Sequence, residues 1–140
     1  VYLGQVVVNG GQITIERPAN SIEIGLNFTN RIKLLRPEIQ TGEGSAQGNQ
    51  MSTSEVMPLF LNTTGCKVDT GDLNPEYKEI EIPFRQFGEN VLDMPPEIVS
   101  DFDTIGVLGW QRGDSPLTLI QDQPYPFHVL AIVRKLTVNS

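Results

Sequence analysis

Read as a pattern of apolar and polar positions, the chain is a succession of short alternating runs with turn chemistry between them. In "SIEIGLNF", Ile22, Ile24, Leu26 and Phe28 fall on one face, while Glu23, Gly25 and Asn27 fall on the other. That period of two predicts a half-buried strand. "QVVVNGGQITIE" predicts a hairpin: Val6 to Val8 form one strand, Asn9-Gly10-Gly11 tolerates positive φ, and Ile13 and Ile15 alternate on the return. "RIKLLRPEI" predicts a further strand ending near Pro37, and "MSTSEVMPLFLNTTG" has β composition, with Pro58 demanding an edge or a bulge. "YKEIEIPF" alternates Ile80, Ile82 and Phe84, and "TIGVLGW" and "LTLIQ" are two more short strands joined by "QRGDSP".

The C-terminal stretch "QDQPYPFHVLAIVRKLTV" turns from polar to apolar across two prolines. Pro124 and Pro126 are too close for the spacing of a PxxP ligand, and neither can donate to a ladder. Pairing on one side can therefore begin only after Phe127, which makes Val129 to Val138 a long closing strand. Residues 40–50 hold no apolar side chain except Ala46 and are expected to be a loop, mobile or ordered only by a partner. Residues 86–103 are irregular, with Pro95-Pro96 and the acidic "SDFD". With about eight or nine strands and no amphipathic helix, the expected class is all-β. We expect an antiparallel β-sandwich with Greek-key or jelly-roll connections and few or no helices. The face of Ile22, Ile24, Leu26 and Phe28 should pack on Leu130, Ile132 and Leu136 in its core.

Composition narrows this picture. The chain has 140 residues, 39% apolar and 19% charged, so residues 1–140 make one domain able to bury a core without staples. No repeat or linker divides it. Val1 and Tyr2 enter a strand-like pattern at once, from which we expect a segment of a longer polypeptide. The net charge of −7 argues against binding nucleic acid by neutralising phosphates. It still suits a surface past which DNA slides. The single cysteine, Cys66, excludes an internal disulfide. No run approaches the roughly 18 apolar residues that span a bilayer as a helix.

The candidate chemistry is thin. A catalytic thiol at Cys66 would need a base, and the only histidine, His128, lies where a packed strand residue is expected. Arg112-Gly113-Asp114 could offer a cation and a carboxylate to an adhesion receptor, but Gly-Asp-Ser-Pro is also ordinary turn composition. Asp69, Asp72, Asn74 and Glu76 cluster without the spacing of a calcium loop. Asp101 and Asp103 flank Phe102, a pairing too weak to predict glycoside chemistry. Asn27 and Asn62 open glycosylation sequons that carry little alone. Trp110 and Tyr125 leave open a cell-surface or carbohydrate-binding module. No catalytic, cofactor-binding or metal site is assigned, and an enzyme is not expected.

Four segments together resemble the C-terminal portion of tail tube or nozzle proteins of short-tailed bacteriophages. "GLNFTNRIKLLRPEIQTGEGSAQGNQ" is similar to that family through Gly25, Leu26, Phe28, Thr29, Ile32, Pro37, Glu38, Ile39, Ser45, Gln47 and Gly48. "VMPLFLNTTGCKV" resembles its apolar strand and Asn-Thr-x-Gly-x-Lys-Val turn, and "EIPFR" its Leu-Pro-Phe-Arg step. "LTLIQDQPYPFHVLAIVRKLTV" resembles its closing pattern. The likeness runs over roughly residues 22–138; it departs after Gly48, where "NQMSTS" replaces a basic pair. The resemblance implies a structural virion protein without cofactor. Its copies would join other tail proteins as a homo-oligomer, a ring of six, around DNA that passes without specific binding. On that view loops 40–54 and 86–103 are the expected subunit contacts, and deleting 42–50 should spare folding but impair assembly.

Overall fold

The structure, a computed structural model, describes residues 3–42, 44–71, 78–84, 97–106, 110–111 and 117–139. Among the described residues there are ten strands: β1 (Asn30–Lys33), β2 (Gln40–Thr41), β3 (Gly44–Ser45), β4 (Gln50–Phe60), β5 (Lys67–Asp69), β6 (Glu79–Glu81), β7 (Ile105–Gly106), β8 (Trp110–Gln111), β9 (Thr118–Gln121) and β10 (Val129–Asn139). One sheet has the order β1-β9-β5-β6. The other has the order β10-β4-β7, with β8 also on β4, and β2 and β3 form a small hairpin. All pairings are antiparallel. The class is all-β and sandwich-like, as the alternating runs predict.

The core is where inward positions of the two sheets meet. Val56 and Phe60 from β4 and Ile105 from β7 face Val68, Leu117 and Leu119, with Cys66 and Ile82 completing the cluster. Phe60 and Phe84 pack as a tilted pair with centroids 5.3 Å apart, the geometry that sets a ring edge against a ring face. Ile80 and Phe84 pack against the same cluster as Ile82, so the alternation read in "YKEIEIPF" holds.

β4 explains how a proline sits in a central strand. Glu55 pairs Gly106, Val56 pairs Ile105 and Leu59 bridges Phe102, a constant register that sets Pro58 opposite Asp103. The Pro58 carbonyl accepts from the Asp103 N–H at 3.2 Å. A strand residue points its N–H and C=O the same way, so the donor that Pro58 lacks faces this irregular seam and not the β10 ladder. The β4–β10 pairing spans Gln50 to Phe60 and shifts register near Leu130 and Ser54. Pro58 itself pairs Ile132 in regular register, so neither the predicted edge nor a bulge at Pro58 is found; the irregular seam on its other side accommodates the missing donor.

Three expectations fail for identifiable reasons. Residues 21–29 form no strand, and Leu26 is 96% and Phe28 66% exposed. β1 begins at Asn30 opposite Gln121, so each earlier residue would need a partner beyond Gln121. There Pro124 withholds its donor and the Tyr125 N–H turns back to the Gln123 carbonyl at 2.8 Å. The ladder runs out of partners. The expected contact with Leu130, Ile132 and Leu136 is consequently not made within the chain; Leu130 is itself exposed. At the N-terminus only the turn of the predicted hairpin forms. Gly10 and Gly11 have φ of 59° and 80°, and Asn9 and Gln12 exchange two hydrogen bonds of 3.0 Å, while Val6, Val7 and Val8 stay exposed.

The third failure is the loop of residues 40–50, which the chain orders for itself. Ser45 Oγ donates to Glu38 Oε1 at 2.6 Å and the Gln47 amide to the other oxygen of Glu38. Arg36 Nη2 donates to the carbonyls of Asn49 at 2.5 Å and Ala46 at 3.3 Å, and Ala46 is fully buried. Gln50 onward is β4, so the last five residues of the expected contact loop 40–54 belong to a paired strand, and deleting 42–50 would remove the buried Ala46 and both carbonyls that hold Arg36. Of the second expected contact loop, 86–96 lies outside the described residues; 97–103 runs along the end of β4 and the turn after it.

Candidate functional site

The turn after β4 joins three segments. Asn62 adopts φ 47° and Gly65 φ 81°, conformations that asparagine and glycine accept at least cost. Thr63 exchanges N–H and carbonyl bonds with Val99 at 3.0 and 2.9 Å. Its hydroxyl donates to the His128 carbonyl and accepts the His128 N–H, both at 2.9 Å. Gln121, buried, donates from Nε2 to the carbonyls of Thr64 at 2.9 Å and Gly65 at 2.5 Å, and its Oε1 accepts the Gln123 N–H at 2.9 Å. The PYPF lead-in thus enters the fold as an acceptor: the carbonyls of Pro126 and His128 take the N–H groups of Thr64 and Leu61, each at 3.1 Å. His128 acts through its backbone.

Beside this turn lies a shallow cleft of about 210 Å³, lined by Gly65, Glu81, Pro83, Phe84, Gln123 and Tyr125 among others. A side chain at Gly65 would stand 3.5–3.8 Å from Gln121, Gln123 and Tyr125, so the half-buried Tyr125 lies folded over the turn. The salt bridge from Lys67 Nζ to Asp122 at 2.6 Å fixes the adjoining segment, and that bond to Asp122 raises the Lys67 pKa.

The remaining candidates are scattered. Cys66 is buried in the core, and burial pushes its thiol up to about 12, so it stays protonated at neutral pH. Asp69 Oδ1 accepts the Gly71 N–H at 2.9 Å, a local turn; Asp72, Asn74 and Glu76 lie outside the described residues. Asp101 and Asp103 each accept the next residue's N–H, at 2.7 and 2.8 Å. No cluster of three potential metal ligands occurs among the described residues. Arg112-Gly113-Asp114 lies outside the described residues, and the Trp110 backbone pairs with Ser52 in β4. Asn27 stands exposed on the unpaired N-terminal arm, and the Asn62 N–H donates to Ser100 Oγ at 2.8 Å.

What the structure does assemble is surface. On the outer face of the β4–β10 pair, Leu59 lies opposite Ala131 and Met57 opposite Val133, with Phe102 exposed beyond Leu59. On the same face Lys135 Nζ meets Glu55 Oε1 at 3.2 Å. Within the inner face Arg134 is half-buried; its Nη2 donates to Thr53 Oγ1 at 2.9 Å and Nη1 to the Leu35 carbonyl at 3.4 Å, and burial lowers its pKa. Among the described residues β10 is the terminal strand of its sheet. Sequence reasoning finds β10 but misses its placement, because an edge and an interior strand share one alternation. No protein-family model matches the chain, and no curated protein matches its sequence.

Proposed function

We propose that this chain is a structural module of the tail tube or nozzle of a short-tailed bacteriophage, located in the virion. Its copies join as a homo-oligomeric ring, six in number, around the conduit through which the genome leaves. The observation that carries the reading is the apolar surface a lone copy leaves in water: Ile24, Leu26 and Phe28 on the arm, and Phe102 and Val133 on the outer sheet face. Covering such surface is worth about 25 cal/mol per Å², and a contiguous patch of it marks an interface. Function then resides in contacts between subunits and with other tail proteins.

Two of the four resembling segments add support by where they fall. "VMPLFLNTTGCKV" spans the end of β4 and the turn to β5, and the closing segment spans β9 and β10. β4 and β10 pair along their length, so these two likenesses form one structural unit. The net charge of −7 suits a lumen that repels phosphate and lets DNA pass without specific binding. The alternative, a cell-surface or carbohydrate-binding module, needs a shelf of exposed aromatics. Phe28 and Phe102 are exposed on separate segments, and Tyr125 is half-buried.

The test is the mass and symmetry of the native particle, by light scattering and electron microscopy. A large symmetric ring with acidic groups toward its channel is expected. A free monomer, or a ring whose acidic groups all face outward, overturns the reading.

A further inference from the structure

Residues 22–28 have the pattern of a strand without a partner strand, and β10, paired with β4 on one side, has no partner on the other among the described residues. The arm has the strand period of two, with Ile22, Ile24, Leu26 and Phe28 all at least half exposed, yet no partner within the described chain. β10 closes its sheet at one side with eleven residues, a long edge of the kind that accepts an added strand. On its inner face Ile132 and Leu136 are only half buried, so the margin of the sandwich is open there.

The geometry points to exchange between copies: residues 22–28 of one chain add antiparallel to the β10 edge of a second copy, with Glu23 opposite Lys135. In that register Ile22 lies opposite Leu136 and Leu26 opposite Ile132, so apolar positions meet on the inner face. On the outer face the carboxylate of Glu23 meets Lys135, whose side chain is 65% exposed. Ile24 then lies against the stem of Arg134, an apolar contact that leaves the guanidinium in place. A parallel alignment with the same charge pair would carry Phe28 past Asn139, the end of the strand. The chain's own β10 is the poorer acceptor. β1 runs toward Leu35, whose carbonyl accepts from Arg134, so residues before Asn30 leave from the end of β1 remote from that contact. The inference concerns how copies join and goes beyond the assignment to a tail.

The test joins Glu23→Cys and Lys135→Cys in the full chain, with Cys66 left buried, and oxidises a mixture of two differently tagged populations. Interchain disulfides carrying both tags are expected, at least tenfold more than from the Glu23→Cys, Ala131→Cys pair four positions out of register. Intrachain links, no links, or equal yields from the two pairs overturn the exchange. As a second measurement, Leu26→Arg should abolish assembly by light scattering while its unfolding midpoint stays at the wild-type value; normal assembly overturns the proposal. A wild-type ring whose doubly substituted variant forms no disulfide between positions 23 and 135 sinks the strand exchange and leaves the tail reading standing. A monomeric wild-type particle sinks both.

Discussion

Residues 118–121 and residues 22–28 are both short strand-patterned runs, yet β9 is buried along its whole length and the arm lies open. The difference is the neighbourhood. β9 has β1 on one side and β5 on the other, so its backbone groups are paired and its side chains meet the core. The arm precedes the same β1 but points where Pro124 and Pro126 remove donors. Alternation states which face would be buried; it does not supply the strand that buries it.

The largest expected effect lies on the β9 side. Leu119 is fully buried, so Leu119→Ala should cost about 2–5 kcal/mol of unfolding free energy, read by denaturant titration. A loss below about 1 kcal/mol would show that the sheets are not packed as described. Next comes Gln121→Ala, which strands the carbonyls of Thr64 and Gly65 and the N–H of Gln123 in a buried site. Each unmet group costs about 1–3 kcal/mol, and Gln121→Glu should not rescue it, since a carboxylate donates nothing to the two carbonyls.

The core also has a pH signature. Cys66 is raised from 9.0 to about 12 in the fold, so the unfolded chain loses its thiol proton first. Its contribution is fully present below pH 9.0 and falls as pH rises toward the folded value, by at most about 1.4 kcal/mol per pH unit. Cys66→Ala should remove that slope from the pH dependence of unfolding. In the native protein a thiol reagent should label Cys66 only as fast as the fold opens; immediate labelling would place it outside the core.

How much of this was legible follows from the same contrast. "YKEIEIPF" and the closing strand could be read because each has a partner at hand and one wet side. The β2–β3 hairpin could not, since its order comes from Arg36, Glu38 and Ser45 reaching across a stretch of bland composition. Thr63 and Gln121 were missed as organising residues for a related reason: a threonine and a glutamine announce no chemistry until the carbonyls they serve are brought together. The one available signal is the Asn-Thr-Thr-Gly stretch, since Asn62 and Gly65 are residue types that accept the positive φ found there.

The smallest expected effect is the most discriminating. Leu26→Ser removes an isobutyl group that is 96% exposed, and in a dilute, unassembled chain it should change unfolding free energy by less than about 0.5 kcal/mol. The same change on β9 would remove an equally large apolar group from a fully buried position. If Leu26→Ser destabilised the dilute chain by as much as Leu119→Ala, the arm would have to be packed within its own molecule, and the contrast between the two strands would collapse. If stability depends on Leu26 only at concentrations where copies associate, burial of the arm is a property of the assembly, and the alternation in "SIEIGLNF" describes a strand completed by another chain.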